Sequence, residues 1–115
     1  MYVLVRKDLP PAQQVVQSCH AVAEAARSFL SAEQEHPHII VCQVRDESTL
    51  RQSLDKLQTH GVRCHAFVEP DLGNELTALA TEPVFDGTRR LFRPFPLLRP
   101  RWNAVAVRDS DFTHP

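Results

Sequence analysis

The sequence predicts an α/β protein, a three-layer α/β/α arrangement built on a mixed, mostly parallel four-stranded sheet. Three observations carry that expectation. The chain opens on a short unbroken apolar run, two later stretches are rich in β-branched residues or alternate, and the segments between them repeat apolar residues at steps of three and four. At 115 residues there is room for one domain, expected over residues 1–108, with 109–115 as a polar tail.

Tyr2-Val3-Leu4-Val5 is the first strand, apolar throughout as in a strand covered on both faces. Pro10-Pro11 breaks the pattern and can open a helix at its first position. In that helix Val15, Cys19, Val22, Ala26 and Phe29 form an apolar stripe, widened by Val16, Ala23 and Leu30, so Cys19 is expected in the core. Ile39 to Val44 is a second strand. Asp46 is placed to cap a second helix, Leu50, Leu54 and Leu57 form its buried face, and His60-Gly61 supply its end. Val62 to Val68 alternates as a third strand.

Pro70-Asp71-Leu72-Gly73-Asn74 is a turn, and Leu76 to Thr81 a fourth strand. The gap before that strand is too short for a helical crossover, so this pair is expected to be antiparallel. Leu97-Leu98 can add a short extended piece, and Asn103 to Val107 an edge strand.

A formal net charge of −1 conceals an asymmetry. Arg89, Arg90, Arg93, Arg99 and Arg101 face a single acid, Asp86, between Phe85 and Arg101. Such a segment suits RNA phosphate or an acidic protein surface equally well. Three cysteines without short-range pairing read as reduced, buried thiols of a cytoplasmic protein. No apolar run reaches the roughly 20 residues that span a bilayer. The strand-like opening also predicts a chain without a secretory leader.

Strand ends carry the candidate chemistry, because open sheets work at the carboxyl ends of their strands. Arg6, Lys7 and Asp8 end the first strand, and Glu69 and Asp71 follow the third. Together they can orient water and stabilise an oxyanion, or form a solvated rim of salt bridges. His20, at the edge of the helical stripe, either hydrogen-bonds to its surroundings or positions a substrate; adjacent Cys19 points about 100° away and cannot pair with it. No His or Cys spacing matches a metal site, and isolated glycines form no phosphate loop, so neither metal nor cofactor is expected.

Several of these residues recur in a known pattern. Val3-Leu4-Val5-Arg6-Lys7-Asp8-Leu9, Gln17-Ser18-Cys19-His20-Ala21 and Asp71-Leu72-Gly73 are the segments concerned. From Met1 to about Val84 the chain resembles the type-2 peptidyl-tRNA hydrolases, whose helix signature reads Gln-Cys-Ser-His-Ala and whose turn reads Asp-x-Gly. The resemblance implies a mixed sheet between helical layers, often a homodimer, and metal-independent cleavage of the ester joining peptide to tRNA.

By the same resemblance Asp71 matches the active-site aspartate, His20 the helix histidine and Arg6 the basic strand end. Gln13 stands where the family usually has lysine, which leaves oxyanion support to Lys7 or Arg6. Glu75 replaces a threonine, with Thr77 and Thr81 nearby. Catalysis is thus expected of Asp71, His20, Lys7 and Arg6. Substrate contact is expected of Gln13, Gln17, Asp8, Glu75, Thr77, Arg89, Arg90 and Arg93. The alternative is an inactive tRNA- or protein-binding module on the same fold.

Overall fold

The computed structural model describes residues 1–99. The anticipated edge strand at Asn103–Val107, the domain limit at 108 and the tail 109–115 lie outside the described residues. Four strands, β1 (Tyr2–Arg6), β2 (Ile40–Val44), β3 (Cys64–Glu69) and β4 (Glu75–Thr81), alternate with helices α1 (Pro11–Phe29) and α2 (Glu47–Thr59). A single helical turn, α3 (Asp86–Arg89), opens the arginine-rich segment, where no helix was anticipated.

The strands lie in the order β2-β1-β4-β3. β1 pairs with β2 in parallel, Leu4 beside Cys42, and with β4 antiparallel, Leu4 beside Leu79. β3 pairs antiparallel with β4, as its short connection requires. The sheet is mixed as expected, but "mostly parallel" needs correction. β1, β2 and β3 point the same way, yet β4 inserts between β1 and β3, so only β1 and β2 are parallel neighbours. Beyond β2, Leu97 bridges to Cys42, which extends the edge where the short extended piece was anticipated.

Alternation along β1 divides the core into two clusters. Leu4 packs with Leu50 and Leu57 of α2 and with Leu76, Leu79 and Phe92. Val3 and Val5 pack with Ala21 and Ala25 of α1 and with Ala78 and Ala80. Small side chains on both α1 and β4 let that helix approach the sheet closely.

α1 buries a face one residue away from its anticipated stripe. Its buried positions are Gln14, Gln17, Ser18, Ala21 and Ala25, whereas Cys19 is exposed and Val15 and Val16 are 50% and 44% exposed. The anticipated core position of Cys19 is therefore wrong. Polar residues can occupy the buried face because each finds partners. Gln14 Nε2 donates to the Leu9 carbonyl at 2.7 Å, Gln14 Oε1 accepts from Gln43 at 2.7 Å, and the Ser18 hydroxyl donates to the Gln14 carbonyl. Pro11 opens the helix without a side-chain cap. α2 follows its sequence signals, with Asp46 accepting from the Thr49 N–H at 2.9 Å.

The pairing of β3 with β4 shifts register between Phe67 and Val68. Phe67 pairs with Ala78 and Val68 with Leu76, so Thr77 is the extra residue of a β-bulge. Leu76 and Leu79 belong to the α2 cluster and Ala78 to the α1 cluster. The bulge turns Thr77 toward α1 as well, where its hydroxyl meets Gln17.

Candidate active site

Gln13, Gln17 and His20 fall at steps of four and three, which places them on one face of α1. Phe67 and Glu69 sit two apart on β3 and so share the sheet face opposite that stripe. The tight turn Pro70–Leu72 then brings Asp71 and Leu72 to the same place. Gly73 and Asn74 both take left-handed backbone, with φ of 67° and 62°, to return the chain into β4. Between these elements lies an open cleft of ≈ 420 Å³, lined by Gln13, Val16, Gln17, His20, Phe67, Glu69, Asp71 and Leu72.

Its floor is a hydrogen-bond chain centred on Gln17, which is 1% exposed. Gln17 Oε1 accepts from the Thr77 hydroxyl at 2.8 Å. Gln17 Nε2 donates to Glu69 Oε2 at 3.0 Å and to Gln13 Oε1 at 3.1 Å. The other Glu69 oxygen accepts from the Asp71 backbone N–H at 3.2 Å. These donors, the Gln17 amide first, hold the Glu69 carboxyl below the usual range, with a smaller contribution from the charge of His20. His20 lies flat on Phe67, ring centroids 4.7 Å apart and planes inclined by 15°. Asp71 is exposed, and its carboxylate makes no hydrogen bond among the described residues.

The residues singled out from sequence divide into three groups. Gln13, Gln17, His20, Glu69 and Asp71 line the cleft, and Thr77 sits fully buried behind it. Arg6, Asp8 and Glu75 form a separate cluster. Arg6 Nε and Nη2 donate to Asp8 at 3.0 and 2.9 Å, its Nη1 donates to the Leu76 carbonyl at 3.2 Å, and Glu75 lies 3.6 Å away. Alternation with Val5 turns Arg6 toward the α2 side of the sheet, away from the cleft. The fork with Asp8 raises the Arg6 guanidinium and lowers the Asp8 carboxyl from their ordinary values.

Lys7 is exposed and is not part of the cleft wall. Arg89, Arg90 and Arg93 are exposed as well. Burial, followed by the charge of Arg89, lowers the amino terminus of Met1, at the end of β1 remote from Arg6. These arginines do not share the cleft.

Phe67, Val16 and Leu72 were not singled out from the sequence. The period of β3 could have found Phe67, since it must share a face with Glu69. The sequence places Val16 only in the apolar stripe of α1 and Leu72 only inside the Asp71-Leu72-Gly73 turn, neither against the other.

The arrangement offers two carboxylates, an imidazole on an aromatic platform, side-chain amides and an apolar rim. Such a set can bind a planar or apolar group, orient water and accept a proton. Among the described residues no group of three or more His, Cys, Asp or Glu is placed to hold a metal ion. A family model described as "Peptidyl-tRNA hydrolase PTH2" matches residues 1–88, which include every residue that lines the cleft. Comparison with curated proteins gives no significant match.

Proposed function

This chain belongs to the peptidyl-tRNA hydrolase PTH2 family, and on that footing we propose that it is a metal-independent esterase releasing peptide or N-blocked amino acid from tRNA. The observation that carries this reading is the meeting of Asp71 and His20, far apart in sequence, in one cleft. Both stand at the positions where the chain's motifs match the type-2 hydrolase pattern.

Asp71 has the exposure to take a proton from water. The water oxygen then bonds to the ester carbonyl carbon, and the carbonyl π pair moves onto oxygen to give the tetrahedral oxyanion. When that pair returns, the bond from carbon to the ribose oxygen breaks, and the ribose oxygen takes up the proton. His20, held on Phe67, positions the aminoacyl or ribose end of the substrate. Lys7 is an exposed cation on the loop that leads to α1 and is available to an RNA phosphate. Arg6 sits in its fork with Asp8 and sets the shape of the strand end. The same reading takes α1 and α2 as the outer layers of an α/β/α sandwich and places a homodimer of it in the cytoplasm. No described helix is long and apolar enough to cross a membrane.

The test is release of N-acetyl-aminoacyl groups from tRNA in the presence of a chelator, with wild type beside Asp71→Asn. Turnover that survives chelation and is lost in the variant supports the reading; a wild type inert at high enzyme concentration refutes it.

A non-catalytic tRNA-binding module is favoured by one observation: the cleft wall contains no lysine or arginine, while Arg89, Arg90 and Arg93 are exposed elsewhere. That reading expects salt-sensitive tRNA binding that weakens on neutralising the three arginines, with no hydrolysis.

A further inference from the structure

The cleft wall has no lysine or arginine to meet a developing oxyanion. An ionised carboxylate only accepts hydrogen bonds, so the Gln17 atom 3.0 Å from Glu69 must be its amide nitrogen. The other end of the same amide is then an oxygen, which accepts from the Thr77 hydroxyl at 2.8 Å. The second Gln17 N–H points to Gln13 at 3.1 Å, so the Gln13 atom facing it must be Oε1. Each amide in the series is fixed by the one before it, starting from the charge on Glu69. What remains is the Gln13 Nε2 group, whose two N–H donors have no hydrogen-bond partner among the described residues. Gln13 is exposed and lines the cleft.

We infer that Gln13 Nε2–H donates to the carbonyl oxygen as it becomes the oxyanion, and that Glu69, acting through Gln17, is the positioning residue that turns this donor outward. The inference rests on the esterase reading and assigns the one role that reading left open. The water oxygen adds to the carbonyl carbon, the π pair settles on the oxygen facing Gln13, and the same pair returns as the ribose oxygen departs. The amide donates to that oxygen as its charge develops and exchanges no proton. Had Gln17 been reversed, its oxygen would meet the Glu69 carboxylate and Gln13 would present Oε1 to the oxyanion, which repels it. The orientation of a neutral amide is therefore the property that the buried network secures.

The experiment measures kcat and KM separately on N-acetyl-aminoacyl-tRNA for wild type, Gln13→Met, Gln13→Lys, Glu69→Gln and the Gln13→Met/Glu69→Gln pair. Gln13 is exposed, so its replacements leave the fold in place. Loss of a donor used only in the transition state lowers kcat by about 100-fold in Gln13→Met, with KM within about threefold. Gln13→Lys, which restores a donor, retains activity within about tenfold of wild type. Glu69→Gln removes the bias on the amide and lowers kcat by about tenfold, yet costs nothing further in the Gln13→Met background, because it acts through Gln13.

Turnover by wild type with Gln13→Met within about twofold of it would overturn the donor assignment while leaving the esterase reading intact. Fully additive losses in the double variant would overturn the positioning role of Glu69. An inert wild type would instead remove the esterase reading and this inference together.

Discussion

His20 and Phe67 stack nearly parallel, 4.7 Å between ring centroids, and this contact joins α1 to β3 at the mouth of the cleft. An imidazole on a helix surface would otherwise sample several rotamers. The phenyl face restricts it while leaving both ring nitrogens without a protein hydrogen bond among the described residues. Phe67→Leu keeps an apolar wall but removes the flat platform. Hydrolysis by the variant is expected to show kcat/KM lowered about tenfold, with thermal stability reduced by about 1 kcal/mol. Unchanged kcat/KM would mean that the stack does not hold His20 for the substrate.

The bulge at Thr77 places its hydroxyl under Gln17 with no access to water. Thr77→Val preserves shape but leaves Gln17 Oε1 without its donor, a loss of about 1–3 kcal/mol. Denaturant unfolding is expected to show that loss in Thr77→Val and recovery of most of it in Thr77→Ser. Equal stability of all three proteins would show that the hydroxyl is not needed to satisfy Gln17.

Acid stability follows from the direction of the carboxyl shifts. The Arg6 fork lowers Asp8, the Thr49 backbone N–H and hydroxyl lower Asp46, and the Leu76 N–H lowers Glu47. A carboxyl with a folded value below its unfolded one stabilises fully above the unfolded value, near pH 4. That contribution is lost as pH falls through the folded value. Urea midpoints are thus expected to fall below about pH 4, and less steeply in Asp8→Asn. Stability that rises on acidification would contradict the assignment.

The cysteines differ in exposure. Burial raises the Cys42 thiol, and burial followed by the charge of Glu82 pushes Cys64 up to about 12. Cys19 is exposed on α1. A maleimide at neutral pH is expected to label Cys19 first, with Cys42 and Cys64 reacting only on unfolding. Mass mapping of the labelled peptide checks this. Early label on Cys42 would mean that the edge covered by Leu97 opens readily.

Much of the fold was legible because local signals agreed with tertiary placement. Asp46 caps where its spacing indicates, and Pro11 opens α1 at the first position. The buried face of α1 was not legible, since Gln14, Gln17 and Ser18 look like surface residues until their partners on other segments are known. Neither was the insertion of β4 between β1 and β3, because Leu76 to Thr81 suits an edge or a central place equally. At the site, Asp71, His20 and Gln17 could be named from motifs, whereas the placement of Arg6 depended on which face of β1 meets α1. The Thr77 bulge is a matter of register, which a single strand's sequence does not specify.

Hydrolysis of the peptidyl-tRNA ester in this cleft, with Asp71 activating water, is the central claim. The most direct measurement is single-turnover release of N-acetyl-aminoacyl groups from tRNA by wild type and Asp71→Asn under chelation. Release by wild type is expected, with a loss of about 100-fold or more in rate for the variant and tRNA binding retained. Equal rates for the two proteins, or a wild type that binds tRNA and releases nothing, would contradict it.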